Sequence, residues 1–65
     1  MIRINNELFN ESEIKNVMID DKKNCLTYYL KDGKFPKIET FDSSKALNKK
    51  IRSLDGTKKR RILNG

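Results

Sequence analysis

Asp32 and Gly33 stand between two β-prone runs, CLTYYL at residues 25–30 and FPKIETF at residues 35–41, and this arrangement limits the fold more than any other feature of the chain. An Asp-Gly pair flanked in this way is a strong hairpin signal, because both residues tolerate the positive φ of a tight turn. The stretch from Cys25 to Phe41 also carries four of the five aromatics, Tyr28, Tyr29, Phe35 and Phe41. A third strand is expected before this hairpin, and a helix and a basic tail after it.

Two registers are open to the hairpin. A two-residue loop at Asp32-Gly33 sets Tyr28 against Lys37 and Leu26 against Glu39. A three-residue loop, Lys31-Asp32-Gly33 with Gly33 left-handed, pairs Leu26 with Ile38 and Tyr28 with Pro36. The second gathers Leu26, Tyr28, Leu30 and Ile38 on one face, and burial strongly specifies register, so it is the expected one. Pro36 cannot donate to a ladder, which places it at an edge or a bulge.

Upstream, Ile2, Arg3 and Ile4 alternate as a short strand, Asn5-Asn6 offers a turn, and Leu8-Phe9 can return as a second arm. Residues Ile14 to Asp20 (IKNVMID) are apolar and β-branched enough for a strand, with Val17 and Ile19 expected inward. Downstream, Asp42-Ser43-Ser44 is a helix-start signal. Leu47, Ile51 and Leu54 then recur at helical spacing, with Lys45, Lys49 and Arg52 on the opposite face and Gly56 where a C-terminal cap belongs. The expected fold is α+β: an antiparallel sheet of three or four strands and one C-terminal amphipathic helix packed on one face. It forms a single small domain over residues 1–56, with a basic tail over residues 57–65 to which Ile62 and Leu63 can add a short strand. The expected core is Ile4, Val17, Ile19, Leu26, Tyr28, Leu30, Ile38, Leu47, Ile51 and Leu54.

At 65 residues with 35% apolar content, core burial supplies a stability on the order of 3–5 kcal/mol or less. The charge is +6 and unevenly placed. Residues 1–30 carry a net −1, whereas eight cations after Ser44 face only Asp55. Such polarity attracts polyanions. One cysteine permits no internal disulfide, and neither a signal peptide nor a membrane-spanning run is visible, so a reducing, cytoplasmic setting is expected. Richness in Lys, Asn and Ile fits an AT-rich coding sequence of a low-GC bacterium, phage or plasmid.

Enzymatic chemistry finds little to work with. Histidine is absent, so the commonest general base and metal ligand are missing. A lone Cys25 at a strand start reads as a small apolar residue, and Lys31-Asp32-Gly33-Lys34 is too short to cradle a phosphate. No catalytic residue, metal ligand or cofactor is expected.

Two groups of residues remain. Lys45, Lys49 and Arg52 form a basic helix face, and Lys58, Lys59, Arg60 and Arg61 follow within one short loop. Four consecutive cations at a terminus read as a flexible phosphate-binding arm. On the hairpin's outer face, Thr27, Tyr29, Lys34, Phe35 and Lys37 interleave aromatics with lysines, a mixture suited to base stacking with phosphate contact.

The pattern Tyr28, Tyr29, Asp32, Gly33, Phe41, Ser43 and Ala46, over Val17 to Leu54, resembles the small sheet-plus-helix DNA-binding modules at the N-termini of phage-type integrases. That resemblance implies a three-stranded sheet entering the major groove, with DNA contact by Thr27, Tyr29, Lys34 and Lys37. The chain departs from the family in lacking its frequent tryptophan and its catalytic domain. The leading expectation is a small, non-enzymatic, regulatory nucleic-acid-binding module. The alternative is a phage- or plasmid-encoded inhibitor or adaptor that blocks a host protein, or a protein–nucleic-acid complex, through its sheet or aromatic face. Homodimerisation through a sheet edge is compatible with either.

Overall fold

The structure is a computed structural model and describes residues 1–62. It is a small α+β fold with one helix, a two-stranded sheet and a four-stranded sheet. The two-stranded sheet pairs β1 (Ile2–Ile4) with β2 (Glu7–Phe9) across Asn5-Asn6, with Asn5 at φ 55°. A single 3-10 turn at Glu11–Glu13 follows, closed by the Glu13 carboxylate, which accepts from the Asn10 N–H at 2.8 Å.

The four-stranded sheet contains β3 (Ile14–Asp20), β4 (Cys25–Leu30), β5 (Lys37–Thr40) and β6 (Lys59–Arg61), in the order β5-β4-β3-β6. It is mixed rather than antiparallel, because β6 runs parallel to β3. The helix α1 (Ser44–Ser53) carries the chain from the β5 edge to the β6 edge. Such a crossover has to pass over one face of the sheet. Ser43 starts it by accepting the Ala46 N–H at 3.1 Å.

Strand alternation divides the sheet into two unlike faces. Inward stand Ile14, Val17 and Ile19 from β3 and Leu26, Tyr28 and Leu30 from β4, all buried. They form one core with Leu47 and Leu54 from the α1 region and Ile2, Ile4 and Phe9 from the small hairpin, and Ile51 and Phe41 pack against it. Ile14 reaches this face although it is out of phase with Val17. A bulge between Ile14 and Asn16 inserts Lys15 as an extra residue and resets the alternation.

Several expectations are corrected. The hairpin takes the other register: Leu26 pairs with Glu39, Thr27 with Ile38 and Tyr28 with Lys37. Asp32 and Gly33 both have positive φ, 63° and 70°, as a tight hairpin turn demands. Pairing stops at Lys37, beside Pro36, which has no N–H to offer. Ile38 therefore lies on the outer face, 60% exposed, and is not core. In its place the inner side of β5 presents Lys37 and Glu39, whose polar heads find partners: Lys37 Nζ lies 3.3 Å from a Glu7 carboxylate oxygen, and Glu39 accepts from the Tyr28 hydroxyl at 2.7 Å. Ile2, Phe9 and Ile14 join the core beyond the expected set.

The cationic segment is not an arm in this structure. Lys59–Arg61 pairs with Val17–Ile19, held by Val17 N–H to Lys58 O at 2.9 Å and Ile62 N–H to Ile19 O at 2.8 Å. The short strand that Ile62 and Leu63 could add is formed instead by Lys59–Arg61, three residues earlier, and Leu63 lies outside the described residues. Both edges of the larger sheet carry some protection against pairing with another chain. Asn5 Nδ2 donates to Ile38 O at 3.1 Å along β5, and β6 exposes three cations.

Candidate nucleic-acid interface

Among the described residues, no buried side chain of the core lies on the outer face of the larger sheet. The register sets one row straight across it: Ile38 on β5, Thr27 on β4, Met18 on β3 and Arg60 on β6. A second row pairs Tyr29 with Asn16. Tyr29 is 39% exposed, whereas Met18 and Thr27 are half-buried and form the floor around it.

The β3 bulge gives this face its charge. By taking one residue out of the ladder it leaves Lys15 exposed at the rim. Lys15 belongs to two adjoining hollows. One is lined by Lys15, Asn16, Met18, Tyr29 and Leu30, and the other includes Lys15, Lys31 and Lys58 with Glu11. Among the described residues, Lys15, Lys31, Lys58 and Arg60 make no ion pair, in contrast to Lys34, Lys37, Lys50 and Arg61. Tyr29 thus shares one hollow with Lys15, and Lys15 links it to a second that holds Lys31, Lys58 and Glu11.

The expected contact face is split by the observed register. Thr27 and Tyr29 lie on the outer face. Lys37 turns to the other side and bonds Glu7, and Lys34 sits 3.6 Å from Glu13. Phe35 is 88% exposed beside Glu7, Phe9 and Lys37, away from Tyr29.

The expected basic set is divided as well. Lys45, Lys49 and Arg52 are exposed on α1 and carry no ion pair among the described residues. Lys58 and Arg60 belong to the sheet side. Lys59 is committed internally, its Nζ donating to Leu54 O at 2.6 Å and to Thr57 O at 3.3 Å, which places a cation at the negative end of the helix dipole. Arg61 Nε lies 2.9 Å from an Asp21 carboxylate oxygen. The seven cations therefore do not form one surface, and the sheet-side group gains two that sequence reasoning missed, Lys15 and Lys31. The mismatch in phase between Ile14 and Val17 is the signal that would have located the bulge and Lys15 with it.

On the inner side, Glu39 is a hub. Besides the Tyr28 hydroxyl it accepts from the Asn5 N–H at 3.3 Å, and Lys50 Nζ lies 3.7 Å away while donating to Arg3 O at 2.5 Å. Burial first, and then the hydrogen bond to Glu39 and its negative charge, push the Tyr28 hydroxyl well above its ordinary value of 10.0. This network joins sheet, helix and small hairpin. Among the described residues no group of three or more His, Cys, Asp or Glu side chains is placed to hold a metal, and no helix is long and apolar enough to cross a membrane. Comparison with family models, with curated proteins and with solved structures gives no significant match.

Proposed function

We propose that the chain is a small, non-enzymatic, regulatory module of the cytoplasm that binds nucleic acid, with the outer sheet face and its basic rim as the principal contact. The observation that carries this reading is Tyr29, 39% exposed, in a hollow with Lys15, which also borders the hollow of Lys31 and Lys58; these three cations, and Arg60 on the same outer face, have no ion-pair partner among the described residues. Aromatic rings and free cations together are what bases and phosphates require. The reading takes α1 to lie across the inner face, which is supported by Leu47 and Leu54 sharing a core with Val17 and Tyr28. Lys45, Lys49 and Arg52 then form a second, purely electrostatic surface for longer nucleic acids.

Binding is measured by fluorescence anisotropy with labelled oligonucleotides over a salt series. Neutralising about four phosphates gives a log–log slope near −3 on a single strand. Binding that does not change with salt, or none to any duplex or single strand, removes the reading. Ile38, 60% exposed in a row with Met18, favours the second reading, a face that docks on a host protein. A protein partner retained from a nuclease-treated lysate, with no oligonucleotide binding, would select it.

A further inference from the structure

We infer that the outer sheet face takes single-stranded rather than duplex nucleic acid, with a base stacked on Tyr29 and the backbone led past Lys15, Lys31 and Lys58; this rests on the nucleic-acid reading above.

The width of the sheet decides between strand forms. Four strands at a spacing of about 4.8 Å span roughly 15 Å between the outer backbones, more once side chains are added. A major groove is about 12 Å wide and a minor groove about 6 Å. The addition of β6 beside β3 thus makes the sheet too broad to enter a duplex with its flat face. A three-stranded sheet of the kind expected from sequence would not meet that obstacle. Lying across a duplex from outside, the same face would meet phosphates only, and Tyr29 would find no base to cover.

A single strand removes the obstacle because its bases are free to turn outward. Tyr29 stands opposite Asn16 and, 39% exposed, lines a hollow with Asn16, Met18 and Lys15 on the next strand. The cations are spaced to suit. Lys31 lies two residues along the chain from Tyr29, about 7 Å, and Lys58 lies two strands away, about 10 Å. Each distance is within reach of a lysine side chain toward phosphates flanking one stacked base. A protein partner fits less well, because lysine is depleted at the core of protein interfaces, whereas Lys15 borders the Tyr29 hollow and, with Lys31, Lys58 and Glu11, the one adjoining it.

The test uses the full chain and labelled probes of about 12 nucleotides, oligo-dT and a duplex of matched length, in low-salt buffer. The single strand is expected to bind more tightly. Tyr29→Ala should weaken it by about 10- to 100-fold, and Tyr29→Phe, which keeps the ring, should stay within about threefold of the parent. Lys15→Ala/Lys58→Ala should weaken binding and flatten the single-strand salt slope by about 1.4. Circular dichroism confirms that each variant is folded. Equal affinity for duplex and single strand, with Tyr29→Ala silent, would overturn single-strand stacking and leave an electrostatic nucleic-acid binder standing. No binding by the parent to either probe would overturn both readings.

Discussion

Glu39→Ala should destabilise this fold well beyond a surface substitution, although Glu39 lies on an edge strand and looks like a surface residue in sequence. Its carboxylate accepts from the hydroxyl of Tyr28, a residue with no exposed area, at 2.7 Å. Removing it leaves that hydroxyl buried without a partner, which costs about 1–3 kcal/mol, and breaks a bond to a charged acceptor of similar worth. The two figures describe one loss and are not added. The Lys50–Glu39 pair is largely shielded, with side chains 20% and 15% exposed, and contributes about 0.5 kcal/mol more. The expected total is about 3 kcal/mol, most of what a chain of this size has. Urea unfolding followed by far-ultraviolet circular dichroism reads it, in a sucrose buffer that preserves a folded baseline. Tyr28→Phe removes the hydroxyl together with its need for a partner, and should cost only about 1 kcal/mol. The double variant should then be more stable than the sum of the single losses implies, by about 1 kcal/mol or more. A loss below about 1 kcal/mol in Glu39→Ala, or strict additivity, would refute this role for the carboxylate.

Three further outcomes follow from the same geometry. Tyr28 stays protonated in the fold but ionises near pH 10 when unfolded, so its contribution to stability should be constant below pH 10 and fall by about 1.4 kcal/mol per pH unit above it; alkaline titration of unfolding checks this, and Tyr28→Phe should remove that component. Ser43→Ala deletes the helix cap seen at 3.1 Å to Ala46 N–H and should cost about 1 kcal/mol in the same urea assay. Gly56→Ala meets no atom within 4 Å but must hold φ at +84°, so it should cost about 1 kcal/mol through backbone strain alone.

Much of the fold was legible because its signals are local. Ser43 as cap, Leu47 and Leu54 as one helix stripe, and Leu26, Tyr28 and Leu30 as one strand face each depend on spacing within a few residues. The hairpin register was not legible by the same means. A slip of one residue exchanges Ile38 for Glu39 on the inner face, and alternation alone favours burying isoleucine. The observed register instead satisfies Tyr28, Asn5 and Lys50 through Glu39, partners that come together only in three dimensions. Strand β6 was hidden for a related reason. Lys-Arg-Arg has no apolar pattern, and its place is set by backbone bonds to a strand some 40 residues earlier. The site depends on the register and on the β3 bulge: the register separates Phe35, Lys34 and Lys37 from Tyr29, and the bulge makes Lys15 an extra residue that strand alternation alone does not mark.

The claim that nucleic acid occupies the outer face is tested most directly by an amide NMR titration of the full chain with short oligo-dT. The expected result is chemical-shift change concentrated at Asn16, Met18, Thr27 and Tyr29 and along Lys58–Arg60, with the α1 amides little moved. Shifts confined to Lys45, Lys49 and Arg52, or none at saturating oligonucleotide, would contradict it.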